Sequence, residues 1–148
     1  MKSSVAVDPA NGNITFGQYV VSLGSELSEL PTSFSKTEEQ AQVEGRVVPC
    51  TFASAAFQER DTNFELSLRY EKDRLVSATL AIEPRQFRDL QDDAFYESVD
   101  DRYDFHRSWL QTNQLPGKGY TATSWGAVGV ARDKSENVFI FLQASKRS

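Results

Sequence analysis

Any chemistry this chain performs has to pass through very few side chains. Its 148 residues hold one histidine, His106, and one cysteine, Cys50. The histidine sits in "DDAFYESVDDRYDFHRSWL", residues 92–110, together with six acidic side chains and five aromatics. A nucleophilic triad would have to use His106 with Asp101, Asp104 or Ser108. Helical spacing does not aim residues 104 and 106 at each other, and no Gly-x-Ser-x-Gly elbow occurs. His106 therefore reads as a hydrogen-bonded packing residue.

Paired carboxylates occur at Asp92-Asp93 and Asp100-Asp101, but adjacent helical residues point about 100° apart, so neither pair forms a clamp. No calcium-hand loop follows them, and one cysteine with one histidine is too few for a zinc site. "PGKGY" at 116–120 lacks the spacing of a phosphate loop and reads as a turn. Arg85, Arg88, Arg102 and Arg107 are interrupted by acids, which disfavours a nucleic-acid surface. Cys50, among strand-like neighbours, reads as a small buried hydrophobe. These residues point to no metal, no cofactor and no catalysis.

Charge is the stronger signal. The chain carries a formal net charge of −5, and from Asp89 to Asp104 seven acids stand against Arg102 alone. Such a focused acidic stretch suits a solvated helix face or recognition of a cationic partner, and it opposes nucleic acid and anionic membranes.

The elements that must position this stretch follow from periodicity. Residues 1–8 read as a frayed end, and "NITFGQYVV" reads as a first strand. A short helix is expected over Glu26–Leu30, stopped before Pro31, with residues 32–42 exposed and mobile. Three strands come next. Val48, Cys50, Phe52, Ser54 and Ala56 share a face of the first; Phe64, Leu66, Leu68 and Tyr70 of the second; Val76, Ala78, Leu80 and Ile82 of the third. After Pro84 the period lengthens: Phe87, Leu90, Ala94, Val99, Tyr103, His106 and Leu110 form an apolar stripe with a possible break near Asp92. "YTATSWGAVGVA" and "NVFIFLQAS" make a final hairpin. The expected fold is α+β, a single domain over residues 1–148. An antiparallel sheet of five or six strands packs against one long helix from about Phe95 to Thr112, with a shorter N-terminal helix. No apolar run approaches the roughly 20 residues of a spanning helix, and the opening residues lack a secretory stretch, so the expected location is cytoplasmic.

The segment "HRSWLQTNQLPGKGYTATSWGAVGVARDKSENVFIFLQ" resembles small bacterial proteins of the toxin-immunity kind, partners of polymorphic and contact-dependent toxins. The resemblance rests on His106, Trp109 and Leu110 in His-x-x-Trp-Leu, on Tyr120 and the Trp125-Gly126 pair, and on a turn containing Asp133. The stretches "ITFGQYVVSLGSELSELPTSF" and "LSLRYEKDRLVSATLAI" extend it diffusely over most of the chain. It implies an inhibitor, made by the toxin-producing cell, that occludes the catalytic domain of a cognate protein toxin such as a basic nuclease. The expected contact residues are Asp93, Phe95, Tyr96, Glu97, Asp100, Asp101, Tyr103 and Asp104. Two rival classes make different demands. A small-molecule-binding or regulatory module needs a pocket lined by Tyr70, Tyr103 and Trp125. An enzyme needs His106 with a carboxylate in an open cleft.

Overall fold

A computed structural model describes residues 4–145 of the chain. Strands β1 (Val5–Val7), β2 (Ile14–Phe16) and β3 (Tyr19–Val21) form a small antiparallel sheet. Strands β4 (Ser35–Val43), β5 (Arg46–Glu59), β6 (Thr62–Glu71) and β7 (Arg74–Glu83) then run as an antiparallel meander. Helices α1 (Asp92–Glu97) and α2 (Val99–Thr112) follow, before β8 (Thr121–Thr123), β9 (Gly126–Arg132) and β10 (Val138–Ala144). The large sheet has the order β4-β5-β6-β7-β10-β9-β8, so the last strand inserts between the meander and the β8–β9 pair.

This arrangement overturns the expected α+β fold. The molecule is mostly β, with ten strands in two antiparallel sheets, and α2 is the one helix longer than six residues among the described residues. A helix is about 10 Å across and neighbouring strands are about 4.8 Å apart, so one helix covers about two strands. Accordingly α2 lies against β9 and β10. The β1–β3 sheet provides further cover: Phe16 packs on Phe57 of β5 with ring centroids 5.9 Å apart. Its first strand comes from the stretch expected to fray. Val5 and Val7 are buried, while residues 1–3 of that stretch lie outside the described residues.

Other boundaries also move. The single strand expected in "NITFGQYVV" is a hairpin, because Gly17 at φ +66° turns the chain and pairs Phe16 with Tyr19. The helix expected at 26–30 is one 3-10 turn, Leu27–Glu29. The mobile segment expected at 32–42 is largely β4, paired along its length with β5. The inward face of β5 holds Ala53, Ala55 and Phe57, since their partners Leu68, Leu66 and Phe64 face the core. Of the alternate set expected there, only Cys50 is buried. A register shift at Arg69/Tyr70 sets Leu75, not Val76, opposite Tyr70.

The period-two strands β6, β7 and β10 supply the densest core. Leu66, Leu80 and Ile140 lie side by side across three strands at 0% exposure. Each such side chain contributes about 1.5–3 kcal/mol by leaving water. The resembling motifs serve this packing. Leu110 is fully buried, and Trp125 donates its indole Nε1–H to the Pro9 carbonyl at 3.0 Å. A Cβ on Gly126 would fall 1.8 Å from the Gln143 carbonyl oxygen, so only glycine fits beside Trp125. Asp133 builds the β9–β10 turn by accepting from the amides of Ser135 and Asn137 and the Asn137 side chain, and these bonds hold its pKa down.

Candidate functional site

The acidic stretch is not one helix. It breaks at Ser98, whose hydroxyl donates to the Phe95 carbonyl and accepts from Arg102 Nε. The break gives the segment two N-termini, and the acids exploit both: Asp92 and Asp93 in the first turn of α1, Asp100 and Asp101 in the first turn of α2. A carboxylate there is favoured by the helix dipole by about 0.3–1 kcal/mol.

Arg102 holds the two helices to the sheet. It is 8% exposed and directs its guanidinium to Ser98 Oγ (2.9 Å), the Glu136 carbonyl (2.8 Å) and the Phe95 carbonyl (2.9 Å). The Phe95 ring lies 4.2 Å from the guanidinium carbon, and Tyr96 meets Phe95 edge-on with centroids 5.5 Å apart. Burial lowers the Arg102 pKa, the Glu136 charge opposes that, and the group stays cationic.

One turn further on, His106 is 1% exposed with both ring nitrogens engaged. Nε2 accepts the Ile82 amide at 3.1 Å, and Nδ1 lies 2.7 Å from the Arg102 carbonyl. Because an amide can only donate, Nδ1 carries the proton and the ring is neutral. Burial, the leading cause, lowers its pKa. The ring also completes the sheet's hydrogen bonding, since β7 pairs with β10 up to Leu80–Ile140 and His106 takes the Ile82 amide just beyond. Neither ring nitrogen is left to act as a general base.

On these helices Asp93, Tyr96, Glu97, Asp100, Asp101 and Asp104 are exposed, Tyr96 at 58%. Asp100 and Asp104, four residues apart, lie about 200° around the helix from Arg102 and His106 respectively. Only Asp104 has an ion-pair partner among the described residues, Arg107 at 3.4 Å, and that exposed pair contributes little. Six of the eight expected contact residues are thus exposed on α1 and α2. The other two serve internal contacts. Phe95 is half-buried against Arg102, and Tyr103 donates its hydroxyl to the Val130 carbonyl at 3.3 Å.

The rival pocket does not assemble. Tyr70 lines a cleft of about 510 Å³ with residues of β4 and β5, whereas Tyr103 and Trp125 are tied to Val130 and Pro9. Sequence reasoning missed the importance of Arg102, counting it only as a lone base among acids. The available signal was its place in the helical row Ser98, Arg102, His106, Leu110, which otherwise faces inward.

Comparison of the chain with protein-family models, with curated proteins and with solved structures returns no match. No described helix is long and apolar enough to cross a membrane, and no group of three or more described His, Cys, Asp or Glu residues is placed to hold a metal ion.

Proposed function

We propose that this protein is an immunity-type inhibitor that binds a basic protein toxin through the exposed side of α1 and α2. One observation carries the reading: Asp93, Glu97, Asp100 and Asp101, which flank an exposed Tyr96 along the chain, are themselves exposed and have no ion-pair partners among the described residues, on helices fixed from behind by Arg102. An uncompensated acidic surface accelerates encounter with a cationic cleft and selects its charge. Tyr96, backed by Phe95, supplies an amphipathic anchor of the kind that concentrates binding energy. The resemblance of the His106–Leu110 and Trp125–Gly126 segments to immunity proteins gives the partner its class. The protein acts in the cell that makes the toxin, by occlusion, without catalysis or cofactor.

The test is recovery of the tagged protein from its native cells at low and moderate salt, followed by assay of what co-purifies. A stoichiometric basic partner, released by salt, toxic when expressed alone and harmless when co-expressed with this chain, is the expected result. A chain that leaves the partner's toxicity unchanged sinks the proposal. Stabilisation by a metabolite in a thermal-shift screen, with no partner recovered, would establish the small-molecule reading instead.

A further inference from the structure

The two edges of the large sheet are built differently. At one end β8 has three residues. At the other, β4 extends for nine, pairing with β5 without a bulge. Residues 35–40 and 42 of β4 are exposed, and the strand contains no proline. A long unpaired edge of this kind is a template for another strand unless something blunts it.

Its turn fixes which backbone groups point outward. Glu44 and Gly45 connect β4 to β5 with φ of +53° and +80°, the two-residue I′ hairpin, and Val43 pairs with Arg46. In such a hairpin the flanking pair exchanges both hydrogen bonds, and bonded pairs then alternate. Ala41, Glu39 and Thr37 therefore bond inward to Val48, Cys50 and Phe52. The amides and carbonyls of Lys36, Glu38, Gln40 and Gln42 point away from β5. Pro49 agrees with this phase: it stands opposite Gln40, at a position whose missing N–H is not needed by β4.

Charge then selects the occupant. Glu38 and Glu39 are adjacent, so their side chains emerge on opposite faces of the sheet, and neither has an ion-pair partner among the described residues. A second copy of this chain, pairing antiparallel so that all four outward residues are used, sets Glu39 directly opposite Glu39, and like charges in that position destabilise. The net charge of −5 adds repulsion between copies. A strand with two consecutive basic residues places one cation against each glutamate, one on each face.

We infer that the β4 edge accepts, by antiparallel strand addition, an extended segment of another protein carrying two consecutive basic residues. Main-chain bonds from Lys36, Glu38, Gln40 and Gln42 would supply the affinity, and Glu38 with Glu39 the selection. The site is independent of the helical surface, since three strands separate β4 from β10 and four separate it from β9.

The probe is an eight-residue peptide alternating threonine and valine, with lysine-arginine at its centre and capped termini. Its control carries glutamate-aspartate at the same positions. Amide exchange and chemical shifts of the whole protein are followed by NMR. The expected result is slowed exchange at the outward amides of Lys36, Glu38, Gln40 and Gln42 with the basic peptide. The acidic control should bind at least tenfold more weakly. Gln40→Pro removes one outward donor and no internal bond, so it should keep the fold and lose the response. Double replacement of Glu38 and Glu39 by glutamine should keep some binding and abolish the preference between peptides. Absence of any response at millimolar peptide overturns the inference, as does equal response to both peptides. Concentration-dependent dimers that protect the same four amides overturn it in favour of a second copy. Because Asp93, Glu97 and Asp101 play no part in this response, its failure leaves the helical reading to be judged by its own test.

Discussion

The inner and outer sides of the α1–α2 segment use charge in opposite ways. On the inner side, Arg102 and His106 are buried and every polar atom of both side chains has a partner. On the outer side, Asp93, Glu97, Asp100 and Asp101 are exposed and free of ion pairs among the described residues. The same short segment thus holds a lock and a display surface, and fixing the first is what lets the second present a constant pattern. A stability measurement should separate the two sides cleanly.

Arg102→Ala is expected to have the largest effect. It removes three hydrogen bonds and the cation under Phe95, and takes the side-chain donor from the Glu136 carbonyl while the Phe95 carbonyl keeps only the Ser98 hydroxyl of its two side-chain donors; the loss should be about 3 kcal/mol in urea unfolding. A loss below about 1 kcal/mol would remove the lock from the comparison. Next comes His106→Ala, which opens a void and strands the Ile82 amide, at about 2–3 kcal/mol.

His106 also makes the inner side sensitive to acid. Its folded pKa lies below the ordinary value of about 6.5, so the unfolded chain takes up a proton that the folded chain refuses. The contribution is fully present above that pH and is lost as pH falls through it, with a slope of at most about 1.4 kcal/mol per pH unit. Glu65, Glu83 and Asp89 line a cleft that His106 also lines, so the histidine's share has to be isolated by substitution. In His106→Gln that slope should vanish; its persistence would assign the pH dependence elsewhere. The smallest effect on stability belongs to the outer side. Glu97→Lys with Asp101→Lys should shift unfolding by less than about 1 kcal/mol, because a cation at the end of α1 offsets the carboxylate lost from the first turn of α2, while slowing association with a basic partner in a salt-dependent way. A large loss of stability from that pair would mean the outer acids are structural.

The parts of the molecule legible in the sequence are those whose two sides see different solvents. β6, β7 and β10 alternate because one face is buried, so Phe64–Tyr70, Leu80–Ile82 and Val138–Leu142 could be read directly. β4 could not: "SKTEEQAQV" is exposed along most of its length, shows no period, and is made a strand by its pairing with β5. The turns offered signals that pattern reading passed over, namely Gly17 inside "TFGQY" and Gly45 in "VEGRV". At the site, the charge of the acidic stretch was legible and its break was not. Nothing in the helical period announces that Ser98 ends one helix and caps the approach of Arg102.

The place of β10 between β7 and β9 has a consequence for how the protein comes into being. A nascent chain can zip β4 through β7 as successive local hairpins, and the β1–β3 ribbon likewise, while synthesis continues. The large sheet stays split in two until residues 138–144 emerge and slide between partners, one of them roughly sixty residues earlier in the chain. Such distant pairing is slow, and until it completes β7 and β9 both present open flanks on which partly made chains can stick to one another. A ribosome pause before residue 138 would lengthen that exposure, and a chaperone that shields strand flanks would shorten it.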